Sequence, residues 1–235
     1  MIKEHTPYNI NDAVYSIRTF VASKANQVEA KTNIPSFNSL LKDPYSYFKA
    51  TVACLKLDLE DLMETKDRLL VYHTISSEVK KALAEDLDCF DAFIFGDYVF
   101  GIFYTPMKES MKRLIDSLAK INSTILLFRK ISGISNFKYS IAADYGDVYF
   151  INHLDANGKV EDYNWCGKLF DHIEEIVGEY SSRTVKIGSL IYNNIPEIYQ
   201  KFFAIDIGAE YYSADIVNTA FSKWKEDNVI TNNNQ

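Results

Sequence analysis

The sequence predicts a mixed α+β domain whose central order, strand–helix–hairpin–helix–strand, is the βαββαβ pattern of a ferredoxin-like fold. Three observations predict it. VACLKLDL, Val52 to Leu59, is short, apolar and bounded by polar residues, which is the signature of a buried strand ending at Asp58. AFIFGDYVFGIF, Ala92 to Phe103, is apolar apart from Gly96-Asp97, so it reads as two strands joined by a tight turn with Asp97 at the tip. Helical periodicity follows each. Leu62, Leu69, Val79 and Leu83 give one inward face over Leu62 to Ala84, with the β-branched Thr74-Ile75 at its centre. Thr105-Pro106 supplies an expected N-cap and first-turn proline, and Met107, Met111, Leu114, Ile115 and Leu118 mark the second helix.

The flanking elements are read in chain order. Residues 1–50 are expected to form an appended helical arm: Val14, Ile17 and Val21 recur at helical spacing, and Ser23 to Ser36 is polar and reads as a connection. Such an arm suits contacts between subunits. In YSIAADYGDVYFIN the turn-forming residues Asp144-Tyr145-Gly146-Asp147 predict a second hairpin, and Asn157-Gly158 a further turn. A helix is expected from Leu169, with Phe170, Ile173, Ile176, Val177 and Tyr180 on its apolar face, then a strand over TVKIGSLIY. A short helix near Pro196 to Phe203, a strand near Glu210 to Tyr212 and an amphipathic segment to Trp224 complete a domain over 51–228. Residues 229–235 are expected to be a disordered tail.

Composition narrows the function. In 235 residues, 25 Lys+Arg stand against 32 Asp+Glu, and a net charge of -7 argues against nucleic acid or an anionic membrane as partner. An anionic small substrate would then require cations. The N-terminal residues lack an apolar leader and no stretch approaches the roughly 18 apolar residues of a membrane span, so a cytoplasmic location is expected. Cys54, Cys89 and Cys166 lie far apart among apolar neighbours and suit reduced thiols, while His5, His73, His153 and His172 show no metal-ligand spacing.

The βαββ order can bring the end of the first strand beside the hairpin tip, making Asp58 and Asp97 neighbours. Two readings then stand. The aspartates cap a helix and make a turn, both common roles, or they hold a pair of divalent cations about 3.5 to 4 Å apart for phosphoryl transfer.

The motifs resemble those of class III nucleotide cyclase catalytic domains, and most of all the pyrimidine nucleotide cyclases of bacterial Pycsar antiphage defence. LKLDLEDL resembles the strand that ends in the first metal aspartate, with Asp61 where glycine is usual and Leu62 where Phe is usual. FIFGDYVFGIF matches the GD hairpin, IAADYGDV the IxxxxG-x-V signature, and NWCGKLFDHIEEI the helix that opens with Trp and Gly. These cover about residues 50 to 180 in the family's order. The resemblance implies two Mg²⁺ or Mn²⁺ ions held by Asp58, Asp97 and the Leu59 carbonyl, with the triphosphate received by the N–H groups of Glu60, Asp61 and Leu62 at the start of the next helix. It also implies a homodimer with sites at the subunit interface, a nucleoside triphosphate substrate, and a cyclic nucleotide that acts on a downstream effector. Adenylate cyclases read adenine with a lysine and an aspartate where this chain has Phe93 and Asn164, so UTP or CTP is the expected substrate. A purine cyclase and an inactive nucleotide- or partner-binding domain are the alternatives. The family's transition-state Asn and Arg are replaced by Asp171 and Glu175, which cannot supply positive charge. Arg129, Arg183 and Lys186 are the candidate substitutes.

Overall fold

The computed structural model describes residues 10–22, 31, 36–43, 45–154, 160–179, 183–205 and 210–232. Its centre is a ladder between β1 (Tyr45–Asp58) and β4 (Lys138–Leu154), antiparallel from Tyr45↔Ile151 to Asp58↔Lys138. The apolar residues that mark β1 in the sequence fill both faces of this ladder. Ala53, Leu55 and Leu57 enter one core, and Ala50, Val52 and Cys54 the other. The β2–β3 hairpin (Cys89–Phe95, Tyr98–Phe103) joins the other edge of β1. The order β2-β3-β1-β4, with α3 (Thr65–Ala84) and α4 (Lys108–Ser132) in between along the chain, is the ferredoxin-like core that the sequence predicts.

The eight-stranded sheet continues beyond β4 through β6 (Val185–Gly188), β8 (Tyr211–Ala214) and β7 (Ala204–Ile205). β5 (Val160–Cys166) pairs with the far half of β4. Helices α3, α4 and α6 (Ser189–Asn194) cover one face, where Val71, Ile75, Leu114, Ile121 and Ile191 have no solvent exposure. The other face is closed by α5 (Lys168–Gly178) and the one-turn α2 (Phe37–Leu40), through Ile173, Val177 and Leu40. An aromatic cluster extends this second core: Trp165 and Tyr163 of β5 pack on Phe150, with ring centroids 4.7 and 5.2 Å away.

Several sequence expectations are corrected by the structure. Asp144 to Asp147 form no hairpin; they run straight through β4, because β1 hydrogen-bonds this whole length and Gly146 keeps an extended backbone. The strand that pairs back on the far half of β4 is β5, and Asn157-Gly158 lie outside the described residues. TVKIGSLIY is not one strand either: β6 ends at Gly188, and Ser189 starts α6. On α3 the buried apolar residues are Val71, Ile75, Val79 and Leu83, whereas Leu69 is 64% exposed, and the helix continues unbroken through Thr74-Ile75. β1 begins at Tyr45, so the strand reaches into the segment expected to be an arm. Of that arm, α1 (Ile10–Ala22) is a helix, most of the 23–36 connection lies outside the described residues, and Ser36 caps α2. The short helix expected near Pro196 is α7 (Glu197–Gln200), and α8 (Thr219–Asn232) runs into the expected tail, whose last three residues are not among those described.

Thr105 does not cap α4; Met107 occupies that position. The Thr105 hydroxyl lies instead 2.7 Å from that of Thr51, and both residues are buried. Replacing one partner strands the other without water. Thr51→Val is therefore expected to lower stability by about 1–2 kcal/mol, and the double change with Thr105→Val to recover most of it. Urea unfolding of the three proteins checks this, and equal losses in single and double variants would count against the pairing.

Candidate functional site

Residue alternation along β1 sets the site. Cys54 belongs to the α5-facing core, so Lys56 and Asp58 project to that same face, while Leu55 and Leu57 point the other way. The strand ends at Asp58, whose Oδ1 accepts the amide of Glu60 at 3.1 Å. The β2–β3 turn comes to the same place. Leu57 donates its amide to the Asp97 carbonyl at 3.0 Å, so the two aspartates sit on chain segments joined by one backbone hydrogen bond. Gly96 takes φ 55 in this turn, a conformation that suits glycine, and its carbonyl accepts the Tyr72 hydroxyl of α3 at 2.5 Å. The tip is thus tied to both β1 and α3. Asp97 is exposed and Asp58 partly so.

The segment after Asp58 departs from expectation. Glu60 to Leu62 do not begin a helix: they form a turn, closed by the Leu62 amide on the Leu59 carbonyl at 3.1 Å, and α3 starts only at Thr65 with Glu64 at its cap. Two of the three amides assigned to a triphosphate are therefore already engaged, those of Glu60 and Leu62. Arg68 clamps the turn through the carbonyls of Leu62 at 2.5 Å and Glu60 at 3.4 Å. Lys138, cross-strand partner of Asp58, forms an exposed ion pair with Asp61 at 3.1 Å, which raises the lysine pKa through that contact.

The remaining predicted residues lie elsewhere. Phe93 is half-buried on the α5 face, stacked on Phe100 at 5.3 Å and near Phe170 at 6.5 Å, a packing role. Asn164 is exposed on β5, bonded to the His153 ring at 2.9 Å, and it does not cap α5, which Gly167 does. Asn164 pairs with Ile151 and Asp58 with Lys138, thirteen residues apart along β4. At about 3.3 Å per residue, that is roughly 40 Å of strand. Within one chain, Asn164 does not reach the aspartates.

The cations weighed in the sequence fare differently. Lys186 is fully buried, donates to the carbonyls of Ile176 (2.7 Å) and Glu179 at the end of α5, and lies over the Tyr211 ring. Arg129 donates to the Phe137 carbonyl and packs on the Phe137 and Tyr139 rings. Both are structural. Asp171 and Glu175 are exposed on the outer side of α5. What the sequence reading passed over is Lys56: the two-residue period of VACLKLDL already put it on the face of Asp58.

One more carboxylate faces α5. Asp144 lies mostly buried on β4 with its Oδ2 3.3 Å from His172 Nε2, packed so closely on Gly188 that a Cβ there would meet its Oδ1 at 1.9 Å. Burial raises its pKa, against the opposing pull of the Tyr145 amide and His172. The folded state thus keeps this proton to higher pH than the unfolded chain, and that contribution to stability is lost as pH rises through the folded-state value. Asp144→Asn is accordingly expected to melt higher than the parent at neutral pH. The gap should close towards about pH 4, the unfolded carboxyl value; a gap that widens on acidification would refute the assignment.

No protein-family model matches this sequence, and no curated protein is matched by it. Solved structures do match. A class III adenylyl cyclase-like ATP-binding protein of Pseudomonas aeruginosa superposes with a TM-score of 0.64 at 13% identity, over 92% of this chain. The chain spans 50% of the length of that protein. The guanylyl cyclase Cya2 superposes with a TM-score of 0.56 at 10% identity, covering 75% of this chain and 96% of that one. The adenylyl cyclase CyaB of P. aeruginosa gives 0.53 at 15% identity, covering 73% and 96%. The fold is that of a class III nucleotide cyclase domain.

Within this cyclase fold the oxygen donors carried by the two adjoining segments are the Asp58 and Asp97 carboxylates and the Leu59 carbonyl. All are hard oxygens, the donor type that suits Mg²⁺ or Mn²⁺. No side chain among the described residues hydrogen-bonds the Asp97 carboxylate, and Asp58 Oδ2 stays open. The residues therefore fit divalent ions, although no group of three or more His, Cys, Asp or Glu side chains gathers among the described residues. No helix among them is long and apolar enough to cross a membrane.

Proposed function

We propose that the chain is a metal-dependent nucleotide cyclase that converts UTP or CTP to the 3′,5′-cyclic nucleotide and pyrophosphate. The observation that supports this is the Leu57 amide bonded to the Asp97 carbonyl, which joins the end of the strand carrying Asp58 to the hairpin tip carrying Asp97. Asp58, Asp97 and the Leu59 carbonyl would hold two Mg²⁺ or Mn²⁺ ions. Bound there, the ions supply Lewis acidity, lowering the pKa of the ribose 3′-hydroxyl and offsetting charge on the leaving pyrophosphate. The chain's own part is positioning: the tip tethered by Leu57 and Tyr72 fixes Asp97, and the Glu60 amide fixes Asp58. With the Glu60 and Leu62 amides engaged inside the turn that Arg68 clamps, the triphosphate is assigned to the Asp61 amide.

A pyrimidine base is supported by Phe93 and Asn164 in place of a purine-reading lysine and aspartate. The distance of Asn164 from Asp58 along β4 supports a homodimer in which each site takes its aspartates from one subunit and Asn164 from the other. α1 supports it too, since Ile10, Val14, Ile17 and Val21 recur at the 4-3-4 spacing of a coiled-coil seam and are 39–67% exposed. The cyclic product would serve as a defence signal to an effector, with the enzyme in the cytoplasm.

A second reading, nucleotide binding without turnover, is favoured by one observation: Lys186 and Arg129 are locked in structural contacts, and Asp171 and Glu175 are acidic. Incubation with Mn²⁺ and ATP, GTP, CTP or UTP separately, followed by chromatography, decides between them. Cyclic UMP or cyclic CMP supports the proposal, a cyclic purine changes the substrate, and bound but unchanged nucleotide supports the second reading.

A further inference from the structure

We propose that Arg68, besides clamping the turn after Asp58, meets the polyphosphate there through the free end of its guanidinium; the inference rests on the nucleotide reading above. Every carbonyl of this turn already accepts a hydrogen bond. Leu59 accepts the Leu62 amide at 3.1 Å, Asp61 accepts the Asn136 side-chain amide at 2.9 Å, and Glu60 and Leu62 accept Arg68 at 3.4 and 2.5 Å. Leu59 keeps a second lone pair for a metal ion. The Asp61 amide makes no hydrogen bond among the described residues, so the turn offers a donor to an anion. The clamp uses only one edge of the planar guanidinium, Nε on Leu62 and Nη2 on Glu60. The fork formed by Nη1 and Nη2 at the far end keeps its remaining N–H donors. Arg68 is exposed, and among the described residues no carboxylate pairs with it, whereas Lys138 beside it is paired with Asp61 at 3.1 Å. Exposure separates it from Lys186, which also donates to two carbonyls but is fully buried. Glu60 ties the arginine to the aspartate: its amide donates to Asp58 Oδ1 at 3.1 Å and its carbonyl accepts from Arg68. A phosphate oxygen accepting from the Asp61 amide and the guanidinium fork gains a charge-assisted contact in the planar geometry that suits arginine. Positive charge then stands on the Asp58 side of the site, where Asp171 and Glu175 offer none.

The test is calorimetric titration of the Mn²⁺–tripolyphosphate complex, which has no base and cannot be cyclised, into the parent, Arg68→Gln and Arg68→Lys proteins at low salt and at about 0.5 M NaCl. Arg68→Gln is expected to weaken binding about tenfold or more at low salt, and Arg68→Lys to stay within about threefold of the parent. The gap between parent and Arg68→Gln should narrow at high salt, since an exposed ionic contact is screened and a loosened turn is not. Arg68→Met, which keeps the aliphatic stem, serves if Arg68→Gln does not fold. Failure of the parent to bind the complex, or equal binding by parent and Arg68→Gln, overturns the proposal. Equal losses in Arg68→Gln and Arg68→Lys, or a gap that salt leaves unchanged, overturn it too, because they reduce Arg68 to the clamp alone. The product assay on the same proteins keeps the two ideas apart. Arg68-dependent binding without any cyclic product removes the cyclase reading and leaves this one standing; cyclic product with Arg68-independent binding does the reverse.

Discussion

Asp97→Ala is expected to form cyclic nucleotide at least about a thousandfold more slowly than the parent chain, while keeping its fold. The carboxylate is exposed at a turn, and the hydrogen bond that holds the tip uses the Asp97 backbone carbonyl, which alanine retains. Its melting temperature should move by no more than the equivalent of about 0.5 kcal/mol. Asp58→Ala should lose the same activity and cost more stability, about 0.5–1.5 kcal/mol, because the Glu60 amide loses its acceptor. The pairing of activity loss with unequal stability loss is the diagnostic. Product formed from UTP or CTP with Mn²⁺ and thermal melting of each variant supply the two readouts. An Asp97→Ala protein within threefold of the parent rate would sink the two-carboxylate site.

Gly167→Ala should produce the largest loss of stability, about 2–4 kcal/mol, seen as a fall in melting temperature of roughly 5–15 °C. Gly167 joins β5 to α5 at φ 132 and ψ 162, a region open in practice to glycine alone. An added Cβ would also lie 2.9 Å from the Asp147 carbonyl oxygen and 3.0 Å from the Tyr149 ring. Backbone on one side and a ring on the other leave no direction of relief. The strain falls on α5, whose Leu169, Phe170 and Ile173 close the second core. Gly178→Ala, where a Cβ meets nothing within 4 Å, is the matched control and should be nearly neutral. Equal melting of the two variants would contradict the role given to Gly167.

Much of the architecture was legible because it depends on local pattern. FIFGDYVFGIF announces its hairpin, since a glycine at positive φ between two apolar strands has few other uses. Asp144 to Asp147 misled for the opposite reason: Asp144, Gly146 and Asp147 are turn formers, yet long-range pairing with Ala50, Thr51 and Val52 outweighs that local preference. Gly188 looked like a strand glycine in TVKIGSLIY. Its place beside Asp144, which leaves no room for a Cβ, could be read only from the assembled sheet. At the site, the approach of the β1 end to the hairpin tip followed from βαββ order, but the turn at Glu60–Leu62 depends on an arginine six to eight positions later. The burial of Lys186 depends on the end of a helix that precedes it in sequence.

The β1–β4 ladder also governs how the chain comes off the ribosome. Leu55 pairs with Ile141, 86 positions later, so at about 5–20 residues per second β1 is made some 4–17 s before its partner. The nearer hairpin, β2–β3, can cover one edge of β1 in that interval, with Gly101 opposite Ala53. The other edge, flanked by Val52, Ala53, Cys54 and Leu55, stays open until β4 emerges. Nascent chains stalled before residue 138 should therefore engage chaperones that recognise extended apolar segments, and those carried past residue 154 should release them.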